Sequence, residues 1–181
     1  MTDTQKKPLW KNELVWLFLL TSGLFAILYS KFILGGYAYV FTDTGADTMQ
    51  INYAQYGLFS SLFRSGESGY VLQAGLGMDV SSYYPAYLIP YNLLILLAPQ
   101  RLLPWAVLAS AYLKMITISL VGYLFYRKLM QDGIGTMAAA LAWTFSGYVI
   151  LWGQHYGFCT CIGHLFTVFY VFSSVVYRMI H

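Results

Sequence analysis

Four apolar runs, Leu14 to Leu34, Trp105 to Tyr126, Ile134 to Trp152 and Phe158 to Tyr177, each extend for about 20 residues, the length a helix needs to cross roughly 30 Å of hydrocarbon. No water reaches a backbone at that depth, so a crossing segment is either a helix or part of a closed barrel. The runs lack the apolar/polar alternation of barrel strands, which leaves helices and predicts no sheet. Composition points the same way, because 59% hydrophobic and 19% aromatic residues against 9% charged ones leave too little polar surface to solvate a soluble domain. The chain therefore reads as an all-α integral membrane protein with four spans, at 13–34, 105–126, 134–152 and 158–177, within a single membrane domain over 1–181.

Lysines and arginines at span ends set orientation, since cytoplasmic flanks carry the excess of them. Lys6, Lys7 and Lys11 place the N-terminus in the cytoplasm. The first run is too long for a signal peptide and has no small-residue cleavage site after it, so it reads as a retained span. Arg127 and Lys128 mark the next cytoplasmic end, so residues 35–104 form one long external loop. The third span then runs outward, Gly153 to Gly157 is a short external turn, and the fourth returns to Arg178.

Within the loop, Tyr83 to Pro99 is apolar but interrupted by Pro85 and Pro90. An interfacial helix fits it best, with its tyrosines at headgroup level; the alternative, a fifth crossing, would put Arg127 and Lys128 outside. A second surface helix is expected near 50–63, where Ile51, Ala54, Leu58, Phe59, Leu62 and Phe63 recur at helical spacing. It is expected to lie flat on the membrane.

Of the seven acidic residues, Asp43, Asp47, Glu67 and Asp79 lie in the loop beside glycine-rich turns that let a backbone bend around a ligand. A carboxylate there either takes a proton from an attacking hydroxyl or holds a divalent metal, and the sequence leaves both open. The plainer alternative is a set of solvated loop acids. Asp47 stands out, because it follows the first span and precedes the amphipathic helix where a lipid-borne substrate would arrive. Lys114 stands near the middle of the second run, where an ammonium costs about 2.5–3.5 kcal/mol on insertion scales and so faces the protein interior. Its readings are a partner for phosphate or carboxylate, or a lysine that pairs with a nearby carbonyl. Gln154 and His155 in the external turn would help to complete a site, or serve only as polar turn residues. Cys159 and Cys161 sit two apart in an apolar helix without flanking ligands and read as packing. His164 and His181 carry no role. The net charge of +3 reflects cations at helix ends and gives no indication of nucleic acid.

Asp47-Thr-Met-Gln50, Gly75-Leu-Gly-Met-Asp79, Tyr83-Tyr84, Pro90-Tyr-Asn92, Lys114 and Phe145-Ser-Gly-Tyr148 occur in that order. In that order and spacing the chain resembles the YfhO-type family of bacterial membrane proteins, over roughly residues 10 to 178. That family is related to the type-C glycosyltransferases, which take a sugar from a polyprenyl phosphate carrier outside the cytoplasm. The resemblance implies a bacterial cell-membrane enzyme that transfers a polyprenyl-phosphate-linked sugar to a cell-surface polymer such as teichoic acid. It implies the type-C architecture, with a large first external loop and membrane-parallel helices. It also implies Asp47 as general base or metal ligand, Gln50, Asp79 and Asn92 as residues shaping the donor or acceptor site, and Lys114 against lipid phosphate. Two departures are visible. The second external turn offers Gln154 and His155 but no second carboxylate, and full members continue through many more helices, so an N-terminal fragment or a truncated gene product, incomplete as a catalyst alone, is expected. The competing functions are a transporter or flippase component for lipid-linked substrates, in which Lys114 and the loop acids line a path, and a non-catalytic membrane scaffold.

Overall fold

The structure, a computed structural model, describes residues 12–40, 47–67, 69–72, 77–79, 90–130 and 132–153. The expected fourth span lies outside them. In chain order the helices are α1 (Glu13–Leu28), α2 (Ser30–Leu34), α3 (Ala54–Ser65, entered through a π-helix over Asp47–Tyr53), α4 (Pro90–Leu97), α5 (Leu103–Leu129, entered through a 3-10 turn over Gln100–Leu102), α6 (Gly133–Thr144) and α7 (Gly147–Trp152). Two short strands, β1 (Tyr70–Val71) and β2 (Met78–Asp79), pair between α3 and α4. Among the described residues two helical stretches are long and apolar enough to cross a membrane, 30 residues over Gln100–Leu129 and 20 over Gly133–Trp152. The described residues form two compact units, one of those within 12–30 and 114–152 and the other of those within 31–113 together with 153.

In the first unit, α1 begins where the Asn12 side chain accepts the Leu14 N–H at 3.0 Å, with Glu13 in the first turn. That places an acceptor and a carboxylate at the positive end of the helix. The sequence predicts one helix over 13–34, but it breaks at Tyr29. The Tyr29 N–H still reaches Phe25 O at 2.8 Å, and its ring stacks on Phe25 at 4.3 Å, while its backbone (φ −101°, ψ 16°) leaves the helical region. The stretch expected as the third span divides likewise, at Phe145 and Ser146, where Ser146 N–H turns back to Trp143 O at 3.1 Å.

Side chains of α1 are distributed inside out. Leu17, Thr21 and Phe25, four residues apart, form the buried stripe, while Leu14, Trp16, Phe18, Leu19, Leu24 and Ile27 are exposed. The buried contacts favour small and polar groups. Thr21 Oγ1 and Ser119 Oγ of α5 share a hydrogen bond at 2.8 Å, both side chains being at most 1% exposed. Gly122 of α5 faces Ala140 of α6 so closely that a Cβ on the glycine would stand 3.9 Å from it. Small residues and interhelical hydroxyl bonds are how helices associate where the surrounding medium is as apolar as leucine. Leu17, Tyr123 and Ala140, backed by Met137 and Leu141, complete this core.

One end of the unit gathers its charges. Tyr123 donates to the Glu13 carboxylate, and Arg127 Nη1 lies 3.5 Å from the same oxygen. The carboxylate occupies the space that a side chain on Gly133 would need. Asp132 caps α6, accepting from Ile134 N–H at 3.2 Å and Gly135 N–H at 2.6 Å. The start of α1, the end of α5 and the start of α6 therefore share one end.

In the second unit, α3 packs on α4 around Phe59, Leu62, Leu96 and Val71 of β1. Two polar bonds fix the pair: Ser60 Oγ donates to Ala98 O at 2.7 Å and Gln100 Nε2 to Gly57 O at 2.6 Å. The helix expected near 50–63 is thus present, but Phe59 and Leu62 face α4 rather than a flat membrane surface; Ile51 and Phe63 stay exposed. Gly66 ends α3 in the left-handed conformation (φ 73°), with Glu67 N–H returning to Leu62 O at 3.0 Å, a Schellman closure. Of the helix expected over 83–99, the part over Pro90–Leu97 forms, and 83–89 lies outside the described residues. The strand pair was not expected. Gly69 and Gly77 supply positive φ on either side of it (85° and 108°), and Tyr70 pairs with Asp79. Two residues per strand are too few to give a periodic signal.

Candidate functional site

The expected site residues divide between the two units. Gln50, Asp79 and Asn92 belong to the second, and Lys114 to the first. Asp47 falls in the first turn of the π-helix, a distortion common at functional sites, but its side chain lies outside the described residues, as does His155.

Gln50 is exposed on the π-helix. Asp79 ends β2, also exposed, and takes part in an interaction within the fold. The ring of its partner position, Tyr70, lies over Gly77, in the space a side chain there would take. Asn92 is different: it is 5% exposed and accepts from Tyr56 Oη at 3.4 Å. This bond joins α3 to α4.

Tyr53 closes the π-helix, and burial pushes its phenol above the ordinary value near 10, because the phenolate loses hydration there. It stays a neutral hydroxyl close to the stretch that carries Asp47 and Gln50. Sequence reading passed over it; nothing distinguishes it from the chain's other tyrosines until the π-helix turns it inward.

Lys114 is 4% exposed, near the middle of α5, and is engaged within the protein. The sequence-based expectation that it faces the interior is met. Among the described residues, no three of His, Cys, Asp and Glu come together to hold a metal.

No local pattern announces the cluster of Glu13, Tyr123 and Arg127, since Glu13 stands 110 positions from Tyr123. Nor does one reveal an aromatic cleft in the second unit, lined by Phe32, Tyr37, Trp105 and Leu108.

Comparisons with family models, with curated proteins and with solved structures give no match to this chain.

Proposed function

We propose that the chain is an integral membrane module of a glycosyltransferase that takes a sugar from a polyprenyl phosphate carrier and passes it to a cell-surface polymer outside the cytoplasm. The observation that carries the reading is Lys114, a cation buried to 4% exposure in the middle of a helical stretch 30 residues long and apolar enough to cross a bilayer. A charge at such a place is expensive and usually marks a substrate path or a partner inside the protein; in this reading it lies on the path of the carrier. The inside-out faces of α1 support the membrane setting, because its exposed leucines and phenylalanine have no other solvent that suits them. The shared end of Glu13, Arg127 and Asp132 agrees with the charge-derived topology, which puts all three on the cytoplasmic side.

In this reading Asp47 takes the proton from the acceptor hydroxyl as its oxygen attacks the anomeric carbon. The bond from that carbon to the carrier phosphate breaks, and the phosphate leaves as an anion. Gln50 and Asp79 offer hydrogen bonds to sugar hydroxyls, Asn92 holds the loop that carries them, and His155 completes the rim.

The test has two arms. Membranes containing the full-length protein are washed with alkaline carbonate, and release into the wash would overturn the membrane setting. Transfer of a radiolabelled sugar from polyprenyl phosphate to cell-wall polymer is then compared for wild type and Asp47→Asn. Loss of transfer with normal membrane insertion is expected; undiminished transfer would remove Asp47 from the chemistry.

A further inference from the structure

The hairpin of β1 and β2 has two unlike faces. Val71 is 5% exposed and packs with Met78 against Phe59, Leu62 and Leu96, so one face closes the core of the second unit. Alternation along a strand turns the neighbours of these residues the other way. Tyr70 and Asp79 therefore lie on the outer face, and they stand directly opposite one another in the antiparallel register. In such a pair the two Cβ atoms are about 4.5–5.5 Å apart.

The Tyr70 ring runs along this face rather than out from it. It lies over Gly77, its diagonal neighbour across the pair, whose missing side chain leaves the room and whose φ of 108° suits glycine. One side of the ring is thus seated on the glycine, yet Tyr70 remains 66% exposed, so the side turned away from Gly77 is open. A ring seated in this way has less rotamer freedom to lose when something stacks on it. Asp79 is exposed beside it.

An open, seated aromatic ring next to a carboxylate suits a sugar. A pyranose presents C–H groups on one face of its ring, which stack on the electron-rich face of an aromatic side chain. The hydroxyls around its edge donate to a carboxylate in charge-assisted bonds. A tyrosine resting on a membrane surface has no use for the carboxylate, which anionic lipid repels.

We infer that Tyr70 is a stacking platform for a pyranose ring, with the Asp79 carboxylate accepting from hydroxyls of the same sugar. The inference rests on the sugar-transferring role proposed above and adds to it a binding residue that sequence reading passed over. The pyranose belongs to the lipid-linked donor or to the acceptor polymer, which share this chemistry.

The test follows the methyl glycosides of glucose, galactose and N-acetylglucosamine as they bind the full-length protein in detergent, read by saturation transfer to their ring protons. Wild type is expected to bind at least one of them, with the strongest saturation on one face of the sugar ring. Tyr70→Phe keeps the aromatic face and is expected to bind like wild type. Tyr70→Leu still covers Gly77 but has no aromatic face, and its affinity is expected to fall about 2- to 10-fold, the worth of an aromatic contact. Asp79→Ala is expected to lose about 10- to 100-fold, the worth of hydrogen bonds to a charged group. Thermal melts check the fold of each variant, and Tyr70→Trp is expected to restore what leucine loses. Displacement of the bound glycoside by polyprenyl phosphate sugar assigns the platform to the donor, and displacement by cell-wall polymer assigns it to the acceptor. Four results would overturn the inference: no saturation in wild type, Tyr70→Leu binding as wild type does, Tyr70→Phe binding as weakly as Tyr70→Leu, or displacement by neither competitor. Sugar transfer by a protein that fails these tests would remove the platform alone. Ring-dependent binding by a protein that transfers no sugar would remove the proposed function alone.

Discussion

The Tyr123 hydroxyl donates to the Glu13 carboxylate, joining the first turn of α1 to the last third of α5 across 110 residues of sequence. Arg127 lies beside the same oxygen, but it is 43% exposed and Glu13 36%, so solvent screens the ion pair to below about 1 kcal/mol. The hydrogen bond is the stronger link. Tyr123→Phe is expected to lower unfolding stability by about 1.5–3 kcal/mol, the range for a bond to a charged group, and Arg127→Gln by less than about 1 kcal/mol. Thermal melts in detergent, read as a double-mutant cycle with Glu13→Gln, separate the two; equal couplings would contradict the ranking.

The hydroxyl pair in the core of the first unit predicts a non-additive response. Thr21→Val and Ser119→Ala each remove one partner of a bond at 2.8 Å, at a cost of about 0.6 kcal/mol typical of such bonds between membrane helices. The double variant is expected to recover part of the loss, because no hydroxyl is left alone. The sum of the two single effects in the double variant would show that the hydroxyls act separately.

Gly122 sets how closely α5 and α6 approach. Gly122→Leu places a branched side chain where Ala140 stands 3.9 Å from a simple Cβ, and overpacking of that size costs about 1–3 kcal/mol. Gly122→Ala is expected to be nearly neutral. The comparison by urea or thermal unfolding fails if alanine is as harmful as leucine.

Lys114 bears on both function and stability. It is engaged within the protein, and removing one member of a buried polar contact leaves the other unsatisfied, so Lys114→Met is expected to insert but to melt below wild type. If the proposed function holds, its apparent affinity for polyprenyl phosphate sugar falls about 10- to 100-fold, the worth of a hydrogen bond to a charged group. Lys114→Arg should recover part of it. An unchanged affinity in Lys114→Met would leave the lysine with a packing role.

Tyr53 gives the molecule a dependence on alkaline pH. Its phenol is held above the ordinary value by burial, so the unfolded chain loses this proton first as pH rises. The stability linked to it is complete below about pH 10, the unfolded value, and declines above that as pH approaches the folded value. Tyr53→Phe should reduce the alkaline decline in the melting temperature; an identical decline would assign it to other groups.

Much of the helical plan was legible because apolar runs of span length leave a backbone little choice. The second run emerges whole in α5, and Lys114 emerges buried, since its charge inside such a run admits few other positions. What stayed hidden came from distance or from brevity. No periodicity announces that Glu13 meets Tyr123 or that Thr21 meets Ser119. The breaks at Tyr29 and Phe145 follow no proline, and they arise from local backbone torsions within stretches whose hydropathy is continuous. The loop helix was found by its amphipathic spacing, but spacing cannot tell a membrane surface from α4 as the partner of Phe59 and Leu62. That Asn92 also accepts from the Tyr56 hydroxyl is a contact between two helices that no local pattern announces.

The 98-residue separation of Thr21 and Ser119 also sets a timetable for biogenesis. At a synthesis rate of about 5 to 20 residues per second, α1 leaves the ribosome roughly 5 to 20 seconds before its hydroxyl partner exists. Until then the local bond open to a threonine in a helix is the one to the carbonyl one turn back, so the interhelical pair can close only after α5 has been made.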